Sequence, residues 1–154
     1  MDGGGNENGY AAALTTATDG EWAGWSHYPG GDPFEDLAGP FYFRVDDQGP
    51  VCAFRIEKRH LNASGFLHGG CFMTFADFAL FVIASDALTG QNAVTATFNC
   101  ELAGAASEGQ LVECRGDVVK AARSMIFVRG LMTAGGDTIM SFSATVKKRS
   151  ARTG

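Results

Sequence analysis

The strongest constraint on this chain is the stretch GGCFMTFADFALFVIASDA, residues 69–87. Read as a helix, its Cys71, Phe72, Met73, Phe75, Ala76, Phe78, Ala79, Leu80, Phe81, Val82, Ile83 and Ala84 cover every face. A helix that is apolar all round has to be enclosed on nearly all sides. The spacing predicts a start near His68–Gly70, an end near Ala87, and a stop at Leu88-Thr89-Gly90. As a membrane span, residues 69–85 are short and are interrupted by Asp77. The expectation is therefore a core helix and no membrane association.

What can enclose such a helix is read from the rest of the chain. Residues 41–45 and 51–58 are aromatic and β-branched runs around DDQGP, which is turn chemistry. In NAVTATFNCELAG, Thr95, Thr97, Asn99 and Glu101 alternate with Val94, Ala96, Phe98, Cys100 and Leu102, a period of two. Three further strand-like runs follow: QLVECRGDVVKAAR, SMIFVRGLMTAG and DTIMSFSATVKKR. The order strand-strand-helix-strand-strand-strand-strand is an α+β pattern. An antiparallel sheet curved around the single helix is its simplest realisation. Such a sheet leaves edge strands and part of the helix uncovered, which a homodimer would complete.

At 154 residues the chain suits one domain. We expect an irregular extension over residues 1–39 with a short helix around 34–37, mobile through about residue 20. The domain proper spans 40–149 and a tail 150–154. The net charge of −5 and a pI near 5.1 argue against a nucleic-acid-binding surface. The first residues, MDGGGNENGYAAALTTATDGE, lack the apolar core of a secretory signal, and a cytoplasmic location is expected. Cys52, Cys71, Cys100 and Cys114 form no CxxC pair and read as reduced, small hydrophobes. His27, His60 and His68 give no zinc pattern, and no metal is expected.

Four features within this frame could carry chemistry. Asp77 is a carboxylate among hydrocarbon, with no Lys or Arg in the helix to pair with it. Either it lies on a stripe that meets polar groups or solvent, or its burial has a purpose. His68-Gly69-Gly70 puts two glycines at a helix start, where backbone N–H groups lack intrahelical partners at the positive end of the dipole. That is a place to polarise a carbonyl, or an ordinary loop-to-helix junction. Asn62 alone reads as a turn residue, and Thr95 alone as a β-former on the wetter face of its strand.

Taken together, N-x5-HGG-x6-D with a Thr 18 residues after the Asp resembles the hotdog-fold acyl-CoA thioesterases of the phenylacetate-pathway and thioesterase-superfamily-member-2 type. The resemblance covers roughly residues 40–148, and Asn62, Gly65, His68, Gly69, Gly70 and Asp77 are its specific part. It implies hydrolysis of acyl-CoA to free acid and CoA, with Asp77 as general base or nucleophile. By the same resemblance the Gly69 N–H polarises the thioester carbonyl, with Gly70 beside it. His68 and Asn62 position that carbonyl and the lytic water, and Thr95 helps orient the water or the carboxylate. Arg123 falls near the expected CoA entrance, although Ala122 stands where relatives carry Gly. No cofactor is implied beyond the CoA of the substrate. The resemblance also implies a dimer or dimer of dimers, with Asp77 from one subunit and the HGG and Asn62 from the other. Within one chain, Asp77 and Gly69 lie some 12–13 Å apart along the helix, at roughly 1.5 Å per residue. Two alternatives are a hotdog enoyl-CoA hydratase or dehydratase, whose HxxxP pattern is missing here, and a non-catalytic acyl-CoA-binding protein.

Overall fold

The computed structural model describes residues 14–149. The expected tail 150–154, and most of the stretch expected to be mobile, lie outside these residues. An eight-stranded antiparallel sheet runs in the order β1-β2-β3-β4-β6-β7-β8-β5, opening with two short strands, β1 (Thr15–Thr16) and β2 (Ser26–His27). Its main strands are β3 (Tyr42–Asp46), β4 (Gly49–Arg55), β5 (Ala93–Leu102), β6 (Leu111–Ala121), β7 (Met125–Ala134) and β8 (Asp137–Lys148). The sheet wraps one long helix, α2 (Gly69–Leu88). This is the hotdog arrangement that the sequence pattern and the resemblance led us to expect.

α2 forms because its inner side chains have nowhere else to go. Phe75, Ala76, Ala79, Leu80 and Ala84 are fully enclosed by sheet residues such as Cys114, Ile126, Met132 and Val146. The helix ends where Thr89 turns into the left-handed region at φ 51°, followed by Gly90 at φ 76°. That stop is the expected one. By length and composition α2 could cross a bilayer, yet here the sheet encloses it. Enclosure is less complete than an all-apolar surface suggests. Gly70, Met73, Thr74, Asp77, Phe81 and Ser85, spaced at three and four, form a stripe that the sheet does not bury.

Two glycines let the sheet approach the helix. Gly116 on β6 faces Gly130 on β7. A Cβ on Gly116 would sit 2.2 Å from the Arg129 carbonyl oxygen and 2.8 Å from Cδ1 of Ile83 on α2. A Cβ on Gly130 would strike the Phe142 ring at 2.5 Å. The missing side chains are thus the space that Ile83 and Phe142 occupy.

Two expectations need correction. β4 stops at Arg55 and does not run to residue 58. Glu57 and His60 cap a 3₁₀ turn at Lys58–His60, with the Glu57 N–H donating to His60 Nδ1 at 2.9 Å, and this bends the chain off the sheet. The lead-in, expected to be irregular, also contributes two short strands. β1 (Thr15–Thr16) and β2 (Ser26–His27) extend the sheet beyond β3. Between them Trp22 stacks on Tyr42 at 4.1 Å, and Arg44 lies 4.4 Å over the Trp25 ring. A Glu21–Arg55 ion pair ties the same segment to β4. A short helix, α1 (Pro33–Ala38), follows, with Asp32 as its N-cap. It agrees with the helix expected around 34–37.

Gly116→Ala is predicted to destabilise the fold by about 1–3 kcal/mol, the usual cost of overpacking a filled interior. Urea unfolding followed by circular dichroism measures it. A midpoint equal to wild type would show that the two glycines are not packing-limited.

Candidate active site

The site is built from the start and the middle of α2 and from one irregularity in β5. At the helix start, His68 is the N-cap, and its Nδ1 accepts the Gly70 N–H at 2.8 Å. The Cys71 and Phe72 N–H groups donate to the His68 carbonyl at 2.9 and 3.1 Å. Gly69 is left as the first helical residue whose N–H has no acceptor among the described residues. Sequence reasoning singled out this amide, and the geometry adds the reason: the His68 side chain takes its neighbour's. Gly70 therefore serves the cap, since its own N–H is spent. Its lack of a side chain is also used, because a Cβ there would meet His68 Nδ1 at 3.1 Å. With Nδ1 accepting, the neutral imidazole carries its proton on Nε2, which makes His68 a second outward donor.

Asn62 organises the loop that delivers this helix start. Its Oδ1 accepts the N–H groups of Ser64 at 2.9 Å and Phe66 at 3.2 Å. Gly65 completes the turn at φ +83°, a conformation that suits glycine. The Asn62 side-chain nitrogen has no acceptor among the described residues and keeps two donors open.

Asp77 lies two turns further along α2 and is half-buried on the open stripe. Hydrocarbon does not surround it fully: the Thr95 hydroxyl donates to its Oδ1 at 2.5 Å. Simple alternation places Thr95 on the wetter face with Thr97, Asn99 and Glu101. The structure corrects this. A bulge at Ala96 breaks the β5–β8 register, since Thr95 pairs with Val146 and Thr97 with Thr145. The extra residue turns Thr95 to the same side as Phe98 and Cys100, toward α2.

Arg123 sits exposed in the β6–β7 turn and makes no hydrogen bond or ion pair among the described residues. The structure brings Asp77 to Thr95 and groups His68 with Gly69 and Gly70. It does not join the two groups within one chain, and Arg123 meets neither. All four cysteines are free, Cys52 and Cys114 buried, Cys71 and Cys100 partly so. Among the described residues no three His, Cys, Asp or Glu side chains converge as a metal would need.

Sequence reasoning missed Glu35. It comes from α1 and lines a cavity of about 20 Å3, room for one water, together with His27, Tyr28, Phe41 and Phe78. The buried His27 Nδ1 has no partner there among the described residues. Burial raises the Glu35 carboxyl to about 7, and the charges of Asp32, Asp77 and Asp36 add to the effect. Its nearness to Asp77 depends on α1 docking against α2, which no local pattern shows.

Because Glu35 holds its proton more tightly folded than unfolded, where 4.5 is usual, its contribution to stability is full below 4.5. That contribution is lost as pH rises through 7. Glu35→Gln should therefore raise the melting temperature relative to wild type at pH 8 and have little effect at pH 4.5. Equal differences at the two pH values would refute the assignment.

With this geometry in view, relatives can be compared. The sequence model of the thioesterase superfamily matches residues 64–141, the segment from the HGG loop into β8. A Pseudomonas aeruginosa protein, "Putative esterase PA0474", is 34% identical over 113 residues, which is 72% of this chain and 84% of that protein. A mutant of the phenylacetic acid degradation protein PaaI from Thermus thermophilus superposes with a TM-score of 0.67 at 26% identity. The superposition covers 77% of this chain and all of PaaI. The Streptococcus mutans protein smu.793, solved bound to acetyl CoA, shares the fold with a TM-score of 0.66 at 21% identity. That match covers 74% of this chain and 92% of the other. A helix opening on an unpaired Gly69 N–H, a Thr95-held Asp77 and these matches lead to one conclusion: the chain belongs to the thioesterase superfamily and folds as a hotdog domain.

Proposed function

We propose that the protein hydrolyses acyl-CoA thioesters, with each site shared between two copies of the chain. The observation that carries this reading is the pairing of a lone open amide, Gly69 N–H, with a carboxylate on the same helix held by Thr95. An amide at a helix start suits a carbonyl oxygen that becomes negative as a tetrahedral intermediate forms. Asp77 has one oxygen engaged by Thr95, which leaves Oδ2 to act. As base, Oδ2 takes a proton from water while the hydroxide adds to the thioester carbon. The intermediate then collapses, and the CoA thiolate leaves and takes up that proton. As nucleophile, Oδ2 attacks the carbon directly, the C–S bond breaks as the CoA thiolate leaves, and water cleaves the resulting anhydride to the free acid and the Asp77 carboxylate, its proton passing to the thiolate. In this reading the open donors His68 Nε2–H and the Asn62 amide hold the carbonyl and the water.

Two observations support a shared site. The two halves lie two helical turns apart on α2, too far for one carbonyl. The Asp77 stripe of α2 is also uncovered, next to β5, whose outer edge is unpaired among the described residues. Val94 and Leu102 on that strand are 45% and 48% exposed, and Met73 on the helix 45%. A second copy against this edge would bury them and bring an HGG start toward Asp77. The acetyl CoA held by the Streptococcus mutans relative agrees with the substrate class.

Asp77→Asn should lower acyl-CoA turnover by about 10²–10⁴-fold, the usual range for a general base, while circular dichroism stays native. Turnover equal to wild type would end the proposal. Thr95→Val should cost about 10–100-fold in kcat, matching about 1.5–3 kcal/mol for a hydrogen bond to a charged group. Single turnover in ¹⁸O water, with mass analysis of the Asp77 peptide, separates base from nucleophile: label in the peptide marks the nucleophile. Inactive Asp77→Ala and His68→Ala proteins, unfolded and refolded together, should recover activity that neither has alone. No recovery despite formation of the mixed dimer would place each site within one chain.

A further inference from the structure

Beside the helix start lies a cleft of about 470 Å3 to which the roles given above assign no occupant. One wall is His68, Gly70, Cys71 and Thr74 from the α2 start; the other is Phe34 and Leu37 from α1. We infer that this cleft receives the acyl chain of the substrate, and that Phe34 and Leu37 set which chain lengths are accepted. The inference rests on the acyl-CoA reading above and adds the residues that select the acyl group.

Phe34 and Leu37 are 63% and 73% exposed, three residues apart on one face of α1. Large apolar side chains on a six-residue helix have a strong reason to be covered. The helix that carries them is anchored. The Asp32 side chain accepts the Phe34 and Glu35 N–H groups, both at 3.1 Å. The last carbonyls are held by Arg59 and His60: Arg59 Nη1 donates to Leu37 O at 2.7 Å and Nη2 to Gly39 O. His60 Nε2–H donates to Ala38 O at 2.7 Å, since its Nδ1 already accepts from Glu57. Arg59 and His60 also line the cleft. Three of the five Arg59 N–H donors and the His60 Nε2–H are committed to α1 and to Glu57, so much of what the two residues present to the cleft is the body of the side chain.

This decides which half of the thioester enters. With its carbonyl at Gly69 N–H, the substrate extends from the carbonyl carbon in two directions. The CoA arm carries amides and phosphates that lose hydrogen bonds in an apolar cleft with few free donors. A hydrocarbon chain loses none and gains burial, at about 25 cal/mol per Å2 of apolar surface. The volume lies within the usual range for small-molecule sites, roughly 300–1,000 Å3.

The test compares wild type with Phe34→Ala and Leu37→Trp, using acetyl-, hexanoyl-, decanoyl- and phenylacetyl-CoA. Leu37→Trp, which fills the cleft, should lower the decanoyl-to-acetyl ratio of kcat/KM at least tenfold. Phe34→Ala, which removes one wall, should lower it several-fold, mainly through KM. Ratios within twofold of wild type in both variants would overturn the inference. So would unchanged ratios accompanied by a shift in oligomer size on gel filtration, which would mark the cleft as a contact between copies. Should wild type hydrolyse none of the four, the hydrolytic reading fails by itself. The cleft is then read from dissociation constants of uncleavable 2-oxoalkyl-CoA analogues. Leu37→Trp must weaken the long analogue at least tenfold relative to the short one, and equal weakening would overturn the inference.

Discussion

Everything in this molecule depends on enclosing α2. The helix buries side chains such as Phe75, Leu80 and Ala84 completely, and only a closely curved sheet can reach them. Gly116 and Gly130 make that approach possible, because Ile83 and Phe142 fill the space where their side chains would stand. A flatter sheet would leave apolar surface wet at about 25 cal/mol per Å2. The helix start, the carboxylate on its open stripe and the cleft beside it all take their positions from this packing.

The same enclosure is incomplete in a useful place. The stripe through Gly70, Thr74, Asp77 and Phe81 lies between α1 on one side and β5 on the other. Each flank contributes one group to Asp77. β5 gives the Thr95 hydroxyl, bonded to Oδ1. α1 gives Glu35, whose carboxyl is raised to about 7 by burial and then by acidic neighbours that include Asp77. One carboxylate thus stands with a donor on one side and, on the other, an acid whose charge state varies near neutral pH. That arrangement couples the N-terminal segment to the stripe where we place the chemistry.

Polar economy at the helix start follows one rule: each donor is used once. His68 Nδ1 takes the Gly70 amide, the His68 carbonyl takes those of Cys71 and Phe72, and Asn62 Oδ1 takes those of Ser64 and Phe66. What remains open among the described residues is the Gly69 N–H, the far nitrogen of His68 and the side-chain nitrogen of Asn62. Arg59 and His60 act similarly at α1, where most of their donors hold the helix end and Glu57, which leaves the neighbouring cleft largely apolar. The result is a polar point beside a largely apolar slot, the arrangement from which we propose a thioester substrate with a hydrocarbon tail.

The sequence by itself determined the core helix, its ends and the succession of six main strands along the chain, because an all-apolar run and period-two alternation are local signals; the order of those strands in the sheet is set by tertiary pairing. The HGG start and Asp77 were legible as well, since spacing along one helix needs no third dimension. The sequence did not determine the side to which Thr95 turns, because a bulge at Ala96 reverses the alternation and is fixed only by pairing with β8. Nor did it show the end of β4 at Arg55, where the side chain of His60 caps a turn. Glu35 beside Asp77, and Phe34 and Leu37 beside the helix start, were decided by tertiary structure alone. They come together because α1 is tied down by Arg59 and His60, more than twenty residues further along the chain.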